Sequence, residues 1–356
     1  MRKVLKVIGI IIAVLALAAA IYVAYVFTSY NRIEDGQVLP TGGDPTASEI
    51  NVLTPYRIVT QNLGFGAYTP DFTFFMDGGK SSWAASKDSV IACIDGAAKD
   101  IEALDPDFVL FQEVDFGSTR SYQVYERAQL EAAFSAYASV FAVNYHSAFL
   151  MYPFYQPHGA SRSGILTLSR AGITGAVRRS LPISTSFSKL LDLDRCYSVS
   201  RIPVDNGKEL VLYNVHSSAY GGSDEIRTAQ MTMLFTDMQE EYENGNYCIC
   251  GGDFNHDFTG DSTQRLNTGG DHEHGWAQPF PEELLPGCLR RCMDYDDKEL
   301  IPTCRNCDVP YGPDCEVFVM DGFIVSENVK CEELHNIDAK FTYSDHNPVD
   351  MTFSLQ

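Results

Sequence analysis

Two periods of polarity run along this chain. Short apolar runs rich in β-formers, at Tyr56 to Gln61, Phe108 to Phe111, Leu210 to Asn214, Tyr247 to Cys250, Phe318 to Val325 and Val349 to Phe353, predict strands. Longer stretches between them carry apolar residues at helical spacing. Val90, Ile91, Ile94, Ala98, Ile101 and Leu104 predict a helix over Ser89 to Leu104, stopped by Pro106. Ile226, Ala229, Met233, Leu234 and Met238 predict another over Glu225 to Tyr242, with Gly245 after its end. Strands interleaved with helices are an α/β signature. No repeat or low-complexity tract interrupts residues 52–356, which read as one domain.

The N-terminus follows neither period. Val7 to Phe27 is 21 residues without a charge, about 31 Å as a helix, close to the thickness of a bilayer's hydrocarbon. Arg2, Lys3 and Lys6 precede it, and the positive-inside bias sends everything after Phe27 out of the cytoplasm. Residues 1–30 therefore read as a cytoplasmic stub and transmembrane anchor in the cell membrane, with the lipid bilayer as partner. A cleaved signal peptide is the alternative, and Ala18-Ala19-Ala20 offers it a cleavage site. Tyr22, Tyr25 and Tyr30 suit the outer interface. Residues 31–51, rich in Gly, Pro, Asp, Thr and Ser, read as a linker.

The formal charge of −21 argues against non-specific binding of long duplex DNA, which depends on Lys and Arg neutralising phosphates. It leaves room for a small phosphorylated substrate at a bound cation. One stretch reverses the balance: Arg162 to Arg201 holds seven basic residues against Asp192 and Asp194. These are solvated strand and loop ends, or include an arginine that grips substrate phosphate.

Candidate chemistry lies where the apolar runs stop. Asn62, Glu113, His216, Asp253 with Asn255, Asp321, and Asp345 with His346 each follow or adjoin a strand signal. If those ends share one side of a sheet, the groups meet in one cleft. Glu113 and the aspartates are hard oxygen ligands for Mg²⁺, with Mn²⁺ or Ca²⁺ as alternatives. His216 and His346 suit proton transfer near neutral pH. The chain has neither a Gly-x-Ser-x-Gly elbow nor a Gly-x-x-x-x-Gly-Lys loop, which disfavours acyl hydrolysis and nucleoside triphosphate binding.

Taken in order, Gln61-Asn62, Gln112-Glu113, Asn214-Val215-His216, Gly252-Asp253-Phe254-Asn255, Asp321 and Ser344-Asp345-His346-Asn347-Pro348 resemble the motifs of the endonuclease/exonuclease/phosphatase superfamily. The resemblance spans Tyr56 to Leu355 and implies a four-layered fold, two β-sheets face to face with helices outside. It implies metal binding by Asn62 and Glu113, supported by Asp345. His346, oriented by Asp321, then stands as base or charge-stabilising imidazole. Asp253 positions the attacking water, Asn255 steadies it and the phosphate, and His216 is a second imidazole. The implied activity is divalent-metal-dependent hydrolysis of a phosphate ester: nucleic acid, phospholipid headgroup or sugar phosphate. A non-catalytic extracytoplasmic binding module on the same fold is the alternative. The sequence leaves the oligomeric state open.

Some residues need a plainer reading. His256 and Asp257 read as loop residues, and Asp271, His272, Glu273 and His274 as a solvated Gly-rich loop. Six of the ten cysteines fall between Cys288 and Cys331. Outside the cytoplasm they predict one or two disulfides, with a zinc site as the other outcome. Cys93, Cys248 and Cys250 read as buried thiols. The aromatic stretch Phe65 to Trp83 reads as an insertion covering the cleft, or as a rim touching lipid.

Overall fold

The computed structural model describes residues 2–186, 189, 192–219, 223–266, 277–293 and 300–356. Its strands are β1 (Gln37–Val38), β2 (Thr41–Gly43), β3 (Tyr56–Asn62), β4 (Phe108–Asp115), β5 (Ala138–His146), β6 (Arg162–Ser169), β7 (Gly175–Ser180) and β8 (Cys196–Pro203), then β9 (Glu209–His216), β10 (Tyr247–Asp253), β11 (Leu289–Cys292), β12 (Cys304–Arg305), β13 (Val317–Phe318), β14 (Asp321–Ser326), β15 (Val329–Asn336) and β16 (Val349–Leu355). The helices are α1 (Arg2–Ser29), α2 (Lys87–Glu102), α3 (Glu126–Ala133), α4 (Asp224–Glu243) and α5 (Ser262–Leu266). Asp271 to His274 lie outside the described residues.

Two seven-stranded sheets form the domain, ordered β1-β7-β8-β9-β10-β14-β11 and β15-β16-β3-β4-β6-β5-β2. Pairing is antiparallel except at the centre of each sheet, where β9 runs parallel to β10 and β3 parallel to β4. The central strands are buried on both faces, which explains their nearly unbroken apolar runs. Alternate residues go to different cores. Ile58, Leu110, Leu212, Ile249 and Phe323 meet between the sheets. Val59, Val109 and Phe111 face Val90, Ile94 and Ile101 of α2. Val211, Tyr213 and Cys248 face Met231, Leu234 and Met238 of α4. The result is the helix–sheet–sheet–helix layering expected above.

Both predicted helices form, displaced by a residue or two. The Ser86 side chain accepts from Ser89 N at 3.0 Å and starts α2 earlier than the apolar spacing suggests. Residues 31–51 are not a free linker. β1 pairs with β7 at the edge of one sheet and β2 with β5 at the edge of the other. Arg32 is ion-paired to Asp194, Ile33 N donates to Asp194 at 2.7 Å, and Leu39 and Ile50 are buried. The segment is a strap along the open side of both sheets. Ahead of it, α1 is long and apolar enough to cross a membrane or to be a signal sequence.

All ten cysteines are free thiols, so the expected disulfides are not present in this structure. Cys93, Cys248 and Cys250 are buried as expected, and the Cys331 thiol lies 3.8 Å from Glu333 O. Among the described residues no three acid, histidine or cysteine side chains form a metal-binding group.

Candidate active site

The parallel strand pairs end on the same side of the sandwich. Asn62 lies opposite Gln112 at the end of β3, and Asp253 lies opposite His216 at the end of β10. Asp321 opens β14 beside Asp253. Polar clamps hold the sheets in register beneath these groups. Gln112 Nε2 donates to Asn214 Oδ1 at 2.8 Å, Asn214 Nδ2 donates to Leu166 O at 3.1 Å, and Gln61 Nε2 donates to the His346 carbonyl at 2.9 Å. Three amides of the sequence motifs thus brace the site rather than face it.

Local backbone strain aims the side chains. β4 carries a register shift between Phe111 and Val114, and Glu113 within it has φ of +53°. Asn255 has φ of +49°. Left-handed conformations at non-glycine residues are costly and persist where surrounding structure enforces them. Gly252, with φ of +145°, lets β10 pass β9, because a Cβ there would lie 2.1 Å from the Val215 carbonyl oxygen.

The cleft between these strand ends has a volume of about 310 Å³. Asn62, Glu113, His216, Asp253, Asn255, Asp345 and His346 all line it. Asn62 Nδ2 joins the two sheets, donating to Asp253 Oδ2 at 3.1 Å and, at the limit of hydrogen bonding, to Glu113 Oε1 at 3.5 Å. His216 Nε2 lies 3.6 Å from Asp253 Oδ2 and 4.0 Å from Glu113 Oε1. His346 Nε2 is 3.9 Å from Asp253 Oδ2, and its Nδ1 is 2.8 Å from Asp321 Oδ2. Asn255 Nδ2 donates to Ser217 O at 3.0 Å while its backbone N–H donates to Asp253 Oδ1 at 2.9 Å. Asp345 accepts from Ser344 Oγ at 3.2 Å and from the Cys307 thiol at 3.8 Å. Every residue singled out from sequence reaches the cleft except Asp321, which sits one layer behind and touches His346.

Burial sets the two histidines apart. His216 is held well below its usual pKa by burial and then by Arg195, His346 and Arg120, so it is neutral at pH 7. His346 is also opposed by burial, yet its acidic neighbours, Asp321 first and then Asp253, outweigh it and hold the imidazolium well above the usual value. Burial raises Glu113 and Asp253 as well, with His346 acting against the rise at Asp253. The cation that most opposes the rise at Glu113 is Arg120, itself forked onto Asp115 at 2.9 and 3.1 Å. Glu113 is thus a carboxylate under-supplied with positive charge, beside an amide and a buried aspartate. That oxygen-rich donor set fits a hard divalent cation that keeps several of its waters.

Sequence reasoning missed several lining residues. Arg120, stacked 3.8 Å over Phe65, lies in the loop after β4, and Cys304, whose thiol burial pushes up to about 12, lies in the two-residue strand β12. Of the basic stretch, Arg170, Arg178, Arg179 and Arg201 are engaged in ion pairs away from the cleft. Arg195 lines the cleft, donates to Ser217 O at 2.8 Å, and leaves its buried Nε without a partner. His256 and Asp257 stay outside, His256 Nδ1 2.7 Å from Phe254 O and Asp257 capping a turn at Thr259 and Gly260. In the aromatic stretch, Phe65, Tyr68 and Phe72 are packed inside, while Phe74 and Met76 reach the rim.

The model of the Endonuclease/Exonuclease/phosphatase family matches residues 59–346, most of the chain. The chain belongs to the endonuclease/exonuclease/phosphatase family. Solved structures with the same fold include the endonuclease/exonuclease/phosphatase of Beutenbergia cavernae, 16% identical with a TM-score of 0.54, covering 85% of this chain and 72% of that one. D. rerio TDP2 humanized by 14 mutations aligns at 13% identity and a TM-score of 0.52, over 84% of this chain and 99% of that one. The human Nocturnin catalytic domain with bound sulfate aligns at 15% identity and a TM-score of 0.51, over 89% and 98%. At these identities the likeness is one of fold. A comparison with curated proteins gives no match.

Proposed function

We propose that the chain is a membrane-anchored, divalent-metal-dependent hydrolase of phosphate esters, with its catalytic domain outside the cytoplasm. The observation that carries the reading is the convergence on Asp253. Two imidazoles of opposite protonation preference and the Asn62–Glu113 pair all approach its carboxylate within one cleft. Glu113 and Asn62, with Asp345 nearby, would hold Mg²⁺ or a similar ion, which supplies Lewis-acid stabilisation of charge at phosphorus. Asp253, raised by burial but opposed by His346, accepts a hydrogen bond from water and orients it toward phosphorus. Asn255 fixes Asp253 through its backbone N–H. His346, kept protonated by Asp321, donates from Nε2 to a phosphoryl oxygen. Neutral His216 offers a second donor without adding charge, and Arg195 neutralises the phosphate at the wall. Preorganised donors of this kind are each worth on the order of 3 kcal/mol in the transition state.

The anchor reading rests on the length and composition of α1 and the three basic residues at its start. The test is an assay of the full chain in detergent against bis(p-nitrophenyl) phosphate and p-nitrophenyl phosphate, with Mg²⁺, Mn²⁺ or Ca²⁺ and with a chelator. Chelator-sensitive turnover is expected, with a clear preference for one substrate. Ligand binding without turnover under any metal would favour the non-catalytic module.

A further inference from the structure

Apart from α1, large exposed apolar side chains concentrate in the loop between β5 and β6. Phe149, Met151, Tyr152, Phe154 and Tyr155 are all exposed there, Phe154 and Tyr155 to 82% and 70%. Residues 147–161 contain no Asp, Glu, Lys or Arg, in a chain of net charge −21. The loop is held on a fixed frame. Leu150 pairs with Gly159, Gln156 Oε1 accepts from Ser82 N at 2.7 Å, and Trp83 Nε1 donates to Pro157 O at 2.8 Å. An uncharged aromatic knob held rigidly outward is the kind of patch that marks a contact surface.

Two neighbours say what that surface meets. On one side is α1. Tyr22 Oη donates to Phe149 O at 3.2 Å and accepts from Met151 N at 2.9 Å, and Tyr25 Oη accepts from Phe149 N at 3.0 Å. These tyrosines precede the end of α1 at Ser29, placing the loop about 6–10 Å back along the helix axis. That is the depth at which amphipathic elements and aromatic belts sit in a bilayer spanned by the helix. On the other side is the cleft. Tyr152 packs 5.9 Å from Phe75, and His158, 6.2 Å from Phe74, lines the cleft together with Phe74 and Met76.

We propose that loop 147–158 docks into the bilayer that holds α1 and sets the cleft mouth against the headgroup layer, so that the substrate is the phosphate ester of a zwitterionic membrane lipid. This rests on the reading of α1 as an anchor and of the cleft as a phosphoester hydrolase. The lipid is zwitterionic because the loop brings apolar area without cations, while the acidic domain is repelled by an anionic surface.

The test uses the full chain in phosphatidylcholine vesicles. Measured as the difference from the wild type, whose Trp83 adjoins the loop, the emission added by Phe154→Trp should be quenched by brominated phosphatidylcholine, whereas that added by Glu102→Trp, at the exposed end position of α2, should not. Phe154→Glu should cut hydrolysis of phosphatidylcholine in the bilayer about tenfold or more, the loss expected for one buried Phe side chain. Hydrolysis of bis(p-nitrophenyl) phosphate should be unchanged. Absence of quenching at position 154, or an equal loss on both substrates, overturns the docking. If quenching persists but only a single-stranded oligonucleotide is cleaved, the lipid substrate is overturned. If the wild type cleaves nothing with any of the three metals, the hydrolase reading fails while quenching still reports on docking.

Discussion

The two sheets deliver different chemistry to one cleft. The sheet built around β3 and β4 brings Asn62 and Glu113, and burial raises Glu113 more than Arg120, His346 and Arg195 lower it. The sheet built around β9 and β10 brings His216 and Asp253, with Asp321 in the adjoining β14. Each has a single parallel pair in an otherwise antiparallel arrangement, and each pair ends at the site. In the reading proposed above, Glu113 serves the cation and Asp253 the water, whereas His346, which precedes β16, comes from the same sheet as Glu113.

The sharpest way to break the comparison is to neutralise one carboxylate on each side. Glu113→Gln and Asp253→Asn should each lower kcat by about a thousandfold, the scale of losing a preorganised electrostatic contact. In a titration of residual activity with Mg²⁺, only Glu113→Gln should require more metal. Equal metal dependence in the two variants would remove the division of labour. Asp321→Asn should cost about a hundredfold and alter the pH profile. Burial alone lowers His346, and Asp321 is the largest influence raising it, so the alkaline limb of kcat should begin at lower pH. The same pair contributes stability present in full below about pH 6.5 and lost as pH climbs through the raised folded pKa; Asp321→Asn should abolish that dependence in thermal melts. Arg195→Ala should raise KM about tenfold with little change in kcat, as loss of one charged hydrogen bond to phosphate predicts.

The smallest effect is on stability. Burial raises Glu113, so its folded form binds protons more tightly than the unfolded chain and it destabilises the metal-free domain increasingly as pH rises past the unfolded value. Glu113→Gln should therefore raise the metal-free Tm at pH 7 by about 2–4 °C. At one Mg²⁺ concentration, the rise in Tm should be larger for the wild type than for the variant. A lower Tm for the variant without metal would mean that Glu113 has a counter-charge in the folded state.

The strand-end residues were legible because both faces of the central strands are buried. The apolar runs ending at Val59, Phe111 and Tyr213 give way to polar residues at Thr60, Gln112 and Asn214, within two positions of Asn62, Glu113 and His216. The strands β5 to β8 are not legible, since Ser139, Asn144, Ser163, Thr167, Arg178, Ser198 and Ser200 interrupt their apolar pattern and yet are buried. β1 and β2, at two and three residues, are too short to carry a period. Phe318 to Val325 read as one strand but divides at Asp321, whose position is set by pairing with Asp253 rather than by its neighbours in sequence. Arg120 and Cys304 could not be found by spacing, because a loop places the first and a two-residue strand the second. The cysteines read as disulfide partners from compartment and density, whereas the fold places Cys304 against His346 and Cys307 against Asp345.

The strap of residues 31–51 also bears on how the domain can be released. It supplies an outer strand to each sheet, and Gly36 N and Leu39 N donate to Arg178 O and Ala176 O. A protease cutting near Asn51 would leave two seams of unpaired amides and carbonyls, ready to join another chain. Under the proposed anchoring, a cut that spares both seams falls in the short stretch between Ser29 and Arg32.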